Sequence, residues 1–342
     1  MFVRSLSLSR FRGVRETEEP IRLRKFNVLL GRNNSGKTTV LEALSLLPHP
    51  EVEPPWLHIE APAKVSPAVA LNRRTWMIAR WLHQGDFSTL LYRYHGTAKV
   101  SYEIEAKDRL LKPGVEISAN DCGLLTDGAY TDPDFIAEYL GIPASDMDEF
   151  AKLVLFIPDS DDFMRELSRA IYENFELVEA AGAHNRVVSE VIDKCVDERF
   201  TEVVPFKQEL RLRRECPDGT SFHVRLEDVG DGLERVVPVL LWLGTLRPKL
   251  VLWDDFEANM HPSLVGAVLE WLAERDWQVV LATHSLDVLY ALLDVWPEDA
   301  QLILLCRTAD DVLRASYMEL EELDRAVRAH QDPRYLVEWL KL

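Results

Sequence analysis

The stretch "FNVLLGRNNSGKTTVLEAL", Phe26 to Leu44, constrains the fold of this chain more than any other. It runs from an apolar strand through Gly31, Arg32, Asn33, Asn34, Ser35, Gly36, Lys37, Thr38 and Thr39 into a helix-compatible segment. Gly31, Gly36, Lys37 and Thr38 fit the spacing G-x-x-x-x-G-K-[ST], and the strand before and helix after them are the context that motif requires. Glycines there let successive main-chain N–H groups close around the β- and γ-phosphates of a nucleotide. Lys37 adds a point charge and Thr38 a hydroxyl for Mg²⁺. The bland alternative is a chance glycine-rich turn, which the flanking elements argue against.

A second apolar run, "LVLWDDFEANMHP" from Leu250 to Pro262, ends in Asp254, Asp255 and Glu257. Like charges gathered at a strand end repel one another unless a cation sits among them, so the cluster points to a metal. Asp254 is expected to hold Mg²⁺ with Thr38, directly or through water; alternatively it is an ordinary strand-end turn residue. A third run, "QVVLATHS", ends at His284, placed to reach a γ-phosphate or simply to hydrogen-bond at a strand end. Between the phosphate loop and the acidic strand, "VGDGLERVVPVLLWL" passes from Gly230, Asp231 and Gly232 into an apolar run of helical length. Glycines at a helix start expose N–H groups at its positive end, where an anion is welcome, though an ordinary glycine cap looks the same in sequence.

Bulk properties narrow the setting. A chain of 342 residues, 47% hydrophobic, is long enough for one large domain or two ordinary ones. Cys122, Cys195, Cys216 and Cys306 form no C-x-x-C pair, so neither a zinc ribbon nor a disulfide framework is indicated, and a reducing cytoplasm is expected. No run approaches a membrane span, and the N-terminus alternates where a signal peptide needs an unbroken apolar core, so a soluble protein without membrane contact is expected. Lys plus Arg number 39 against 57 Asp plus Glu, a net charge of −18, which leaves room only for local contact with nucleic acid. Basic residues gather near the N-terminus, among them Arg4, Arg10, Arg12, Arg15, Arg22, Arg24 and Lys25, and Arg211, Arg213 and Arg214 form a trio. Either group could meet DNA, but alternating charge on a sheet face is the commoner origin of such a pattern.

The pieces "LSLSRFRGVRE", "NVLLGRNNSGKTTVLEAL", "VGDGLERVVPVLLWL", "LVLWDDFEANMHPSL" and "VVLATHSLDVL", in this order, resemble the ABC-type ATPases of the SMC and RecF sort. Within them the chain is similar to the OLD-like group of prokaryotic ATPases, often labelled AAA family ATPases. The resemblance implies an α/β P-loop ATPase head with an antiparallel β lobe and an inserted helical lobe. It makes Gly31 to Thr39 Walker A, Gly230 to Gly232 the signature and Asp254 the Walker B aspartate. Asn259 to Pro262 become the D-loop, His284 the switch histidine and Gln84 a Q-loop residue near Mg²⁺. It also implies that ATP and Mg²⁺ are bound between two copies of the head, in DNA repair or defence against foreign DNA. The family usually places a glutamate after the Walker B aspartate to orient the attacking water, and here that position is Asp255. Aspartate is one methylene shorter, and a displacement near 1 Å can cost about a hundredfold in rate. Slow or partner-dependent hydrolysis is therefore expected, with Glu257 as a compensating carboxylate. A nucleotide-gated scaffold without hydrolysis is one alternative and a transporter ATPase subunit another, the latter disfavoured by the opening segment and the GDG signature.

The expected organisation is a nucleotide-binding core over 1–107 and 201–342, with a mainly helical lobe over 108–200. "FSTLLYRYHGTAKVSYEIEAK" and "FKQELRLRRECPDGTSFHVRLED" each read as two strands joined by a turn, and Pro50 to Pro67 reads as a loop. Strands are expected at Leu302 to Cys306 and near Val312 to Met318, followed by a helix from Glu319. The 342 − 284 = 58 residues after His284 are fewer than a nuclease domain of about a hundred residues needs. OLD-like relatives often carry such a domain, so a separately encoded, nuclease-like effector is expected as partner.

Overall fold

The computed structural model describes residues 2–57, 71–106 and 109–334. Most of the stretch from Pro50 to Pro67 expected as a loop lies outside these. The phosphate-loop strand, Phe26–Leu30, is buried along its whole length because a parallel neighbour flanks it on each side: the histidine strand, Gln278–Thr283, and Ala300–Arg307. Beyond the histidine strand come the acidic strand, Leu250–Trp253, and an edge strand, Val154–Ile157, both parallel to it. On the other side, Val312–Met318 turns back antiparallel to Ala300–Arg307 and hands the sheet to Val14–Thr17, Phe2–Phe11 and Ala98–Ala106. The result is one 14-stranded sheet, parallel at one end and an antiparallel meander at the other. This is the α/β head with an antiparallel lobe expected from the sequence.

Alternation within each parallel strand divides the core into two layers. Leu250 and Leu252 face one layer, which holds Val40, Leu41 and Leu44 of the phosphate-loop helix, Lys37–Ser45. Val251 and Trp253 face the other, which holds Val236, Leu240 and Leu243 of the glycine-led helix, Asp231–Leu246, and Val265 and Leu269 of Pro262–Ala273. Both faces are covered, as an all-parallel block requires, and the strand ends that bear the motifs emerge on one edge.

The middle of the chain departs from expectation. Within 109–130, placed with the helical lobe, stand four short strands, Arg109–Leu111, Gly114–Ile117, Cys122–Thr126 and Ala129–Tyr130; the first two pair with Ala98–Ala106, so sheet pairing runs across the expected boundary at 107/108. Helices then occupy most of the stretch from Pro133 to Lys194, but Val154–Ile157 interrupts them as the edge strand of the parallel block. A short apolar run buried on both faces has no period to separate strand from helix, and Phe87 to Tyr94 shows the converse. Read as a strand, it forms two 3-10 turns, because Phe87 and Leu90 are both buried at i, i+3 spacing. The Asp86 carboxylate opens the first turn by accepting the Ser88 N–H at 2.9 Å. The hairpin around Pro217–Gly219 is present as Glu209–Glu215 and Ser221–Arg225, joined by Phe200–Phe206 in a separate three-stranded sheet. Near the C-terminus the two strands stand where expected, and the helix Leu320–Arg328 is capped by Glu319.

Candidate functional site

The loop after Leu30 takes a shape that side chains would obstruct. Gly36 has φ +104, Asn34 has φ +64, and a Cβ at Gly31 would fall 2.3 Å from Ser35 Oγ and 2.7 Å from the Leu305 carbonyl. Arg32, Asn33 and Asn34 are exposed at the tip, Ser35 is buried, and Lys37, Thr38 and Thr39 are half-buried at the helix start. Lys37 Nζ lies across the loop, donating to the Gly31 carbonyl at 2.8 Å and to that of Arg32 at 3.2 Å. Burial lowers its pKa, against the pull of Asp254, Asp255 and Glu257. The Ser35 hydroxyl is buried without a partner. A cradle with no room for a Cβ, an ammonium folded over it and an orphaned hydroxyl fit a polyphosphate.

The strand register brings the acidic strand to this loop. Trp253 pairs with Leu281, and Thr283 with Leu30, so the residues after each strand meet at one edge. Asp254 is held there by its N–H on the Ile157 carbonyl at 2.9 Å, and Phe256 by its N–H on the Ala282 carbonyl at 3.0 Å. Thr38 Oγ1 donates to Asp254 Oδ2 at 2.7 Å. Asp254 is only 9% exposed, and burial pushes its carboxyl up to about 6, offset by the Thr38 hydrogen bond and reinforced by Glu42 and Asp255. A buried carboxylate beside a hydroxyl is an oxygen-only donor pair, which suits Mg²⁺.

Next to it, Asp255 takes a left-handed turn, φ +47, and its Oδ1 lies 2.9 Å from His284 Nδ1. Glu257 Oε1 accepts the main-chain N–H of His284 at 3.0 Å and stands 3.1 Å from the same ring nitrogen. Three residues singled out in the sequence thus form one cluster. Gly230, Asp231 and Gly232 begin the glycine-led helix, and Gly232 packs on the Asn259–Met260 turn so closely that a Cβ would sit 2.7 Å from the Asn259 carbonyl. Gln84 is the exposed, left-handed cap of the helix Arg73–His83. Its neighbour His83 reaches the phosphate-loop helix at Glu42.

That contact belongs to a group the sequence reading missed. Glu42, fully buried in the phosphate-loop helix, accepts from His83 Nε2 at 2.8 Å and forms an ion pair with Arg12 Nε at 2.8 Å, too poorly aligned for a hydrogen bond. A glutamate within the apolar run Val40 to Leu44 is the signal that could have found it. Arg12 came from the basic group near the N-terminus, whose other members largely pair within the chain: Arg4 with Glu105, Arg15 with Glu16, and Arg24 with Glu319. Arg211 and Arg213 pair with Glu209 and Glu202.

Fold and site together define a P-loop α/β domain of the ABC-type head architecture. Residues 135–289 match the family described as "AAA domain, putative AbiEii toxin, Type IV TA system", and residues 1–60 match the family described as "AAA ATPase domain". No curated protein matches the sequence. Among solved structures, the chain is similar to the Smc head domain with an extended coiled coil bound to the C-terminal domain of ScpA from Pyrococcus furiosus. That match has a TM-score of 0.61 at 12% identity, over 96% of this chain and 99% of that one. An SmcHead bound to the C-winged helix domain of ScpA aligns with TM-score 0.63 at 15% identity, over 94% and 99%. The SMC head domain from Thermotoga maritima aligns with 0.53 at 14%, over 93% and 100%. At such identities the likeness establishes the fold. Among the described residues no helix is long and apolar enough to cross a membrane.

Proposed function

We propose that this chain is an ATP-dependent molecular switch that binds and hydrolyses ATP with Mg²⁺ and controls a partner. The observation that carries the reading is the pairing of Thr38 with Asp254 at 2.7 Å beside that of Asp255 with His284 at 2.9 Å, at neighbouring strand ends. Gly31 to Thr39 would hold the phosphates, and Thr38 with Asp254 the Mg²⁺, which when bound neutralises phosphate charge. Asp255 orients the attacking water, through the carboxylate oxygen that His284 leaves free. His284 steadies that carboxylate and faces the terminal phosphate. Gly230, Asp231 and Gly232 expose a helix N-terminus for the nucleotide of a second copy, so that two heads close around two nucleotides as a homodimer. An OLD-like role in prokaryotic DNA repair or anti-phage defence, acting on a separately encoded nuclease-like effector or on DNA, is the setting in which such closure does work. In support, the best-covered family description names a toxin–antitoxin system, and two of the similar Smc heads are described as bound to ScpA.

The test is single-turnover hydrolysis of ATP·Mg²⁺ by wild type, Asp255→Asn and Asp255→Glu, with and without duplex DNA, alongside sedimentation. Turnover by wild type, abolished in Asp255→Asn with the ATP-dependent dimer retained, is expected; unchanged ATP binding by Lys37→Met would overturn the assignment of the loop. A nucleotide-gated scaffold is favoured by one feature, the engagement of Asp255 Oδ1 by His284. In that case wild type binds and dimerises without turnover.

A further inference from the structure

Asp255 and Glu257 each bring a carboxylate oxygen to the same ring nitrogen of His284. His284 Nδ1 lies 2.9 Å from Asp255 Oδ1 and 3.1 Å from Glu257 Oε1. A ring nitrogen carries at most one proton, so it donates fully to only one of the two carboxylates, and Glu257 Oε1 is held besides by the His284 main-chain N–H at 3.0 Å. Glu257, 12% exposed, is turned inward, and its second oxygen, Oε2, is buried without a partner. The ring itself is 60% exposed, so the cluster is open to solvent on the histidine side.

We infer that Asp255 Oδ1, Glu257 Oε1 and His284 Nδ1 form a binding site for a divalent transition-metal ion of the Mn²⁺ or Zn²⁺ kind, separate from the Mg²⁺ position at Thr38 and Asp254. The three ligand atoms all lie within 4.8 Å of one another. With metal–ligand bonds of about 2.1 Å, adjacent ligands of an octahedral ion stand about 3.0 Å apart, and those of a tetrahedral ion about 3.4 Å. Of the three edges, the two at the ring nitrogen, 2.9 and 3.1 Å, fall at the octahedral value, and the carboxylate–carboxylate edge is within 4.8 Å. An imidazole between two carboxylates selects a borderline ion over Mg²⁺ or Ca²⁺, which take oxygen alone. A double positive charge offsets both carboxylates, where an imidazolium offsets one. Three protein ligands leave further positions open to water on the exposed side.

The site needs no nucleotide, so it stands or falls apart from the ATPase reading. Mn²⁺ is titrated into the nucleotide-free full chain and followed by electron paramagnetic resonance, with pulsed measurement of nitrogen coupling. One Mn²⁺ per chain with a ¹⁴N coupling is expected in wild type. His284→Ala should remove the coupling, and His284→Ala, Asp255→Asn and Glu257→Gln should each weaken binding at least tenfold, with unchanged circular dichroism. Asp254→Asn and Lys37→Met should bind Mn²⁺ as wild type does, even where Lys37→Met no longer binds ATP. Absence of the ¹⁴N coupling in wild type, undiminished binding in His284→Ala, or loss of binding in Asp254→Asn would each overturn the proposal.

Discussion

Asp254→Asn should stabilise the nucleotide-free protein while weakening its response to ATP·Mg²⁺. The Asp254 carboxyl is held at about 6 against an ordinary 3.8, chiefly because it is buried. At 1.36 kcal/mol per tenfold change in proton affinity, keeping it ionised in the fold costs ~3 kcal/mol. Because the folded pKa is raised, the cost is absent below pH 3.8, grows as pH rises from there to about 6, and is constant above. Asparagine removes the charge and keeps an oxygen that can accept from Thr38 Oγ1. For 342 residues the unfolding entropy is about 0.7 kcal/mol/K, so relief of ~3 kcal/mol raises Tm by about 4 °C. Calorimetry of both proteins across pH 4 to 8 without nucleotide tests this: the variant should melt higher at pH 7.5, and the gap should close toward pH 4. Added ATP·Mg²⁺ should stabilise wild type more than the variant, reversing the order. A variant that melts below wild type at pH 7.5 without nucleotide, or a gap that ignores pH, would refute the account.

Substitutions at three further positions probe the scaffold. Glu42→Gln leaves Arg12 without its buried counter-charge, and should cost about 3 kcal/mol in urea unfolding. Gly36→Ala meets both a left-handed backbone and Leu313 Cδ1 at 2.9 Å, so a loss of ~1–2 kcal/mol and weaker ATP binding by isothermal calorimetry are expected. Arg74, fully buried, donates to the carbonyls of Val52 at 2.8 Å, Ala151 at 2.9 Å and Val154 at 3.0 Å. Arg74→Lys should lower Tm nearly as far as Arg74→Met, because an ammonium cannot span the fork of acceptors.

What the sequence revealed and what it hid follow from the range of the interactions. The phosphate loop is legible because its chemistry lies within nine consecutive residues, Gly31 to Thr39, between a strand and a helix that both show in the apolar pattern. Asp254 and His284 are legible as strand-end residues, but their meeting is not: it depends on the register Trp253 to Leu281 and Leu30 to Thr283, which parallel, doubly buried strands do not encode by alternation. The same lack of period hid the strand Val154–Ile157. Glu42, Arg12 and His83 lie far apart in the chain, and a charge within an apolar run does not announce which residues neutralise it.

The departure at Asp255 changes meaning once its surroundings are known. From the sequence, a shorter carboxylate is expected to stand back from a water it would orient, with Glu257 as a compensating carboxylate. In the fold, the left-handed turn at Asp255 carries its carboxylate to His284, while Glu257 is committed to the main-chain N–H of the same histidine. His284 is therefore fixed from two sides, and the side-chain length at 255 is matched to a partner 2.9 Å away. A glutamate there would have to bend away from the ring or displace it. Asp255→Glu then alters two things together, the reach of the carboxylate and the seat of the histidine. Read beside it, His284→Ala separates them: if the two variants change single-turnover rate in opposite directions, reach limits the rate, and if in the same direction, the histidine's position does.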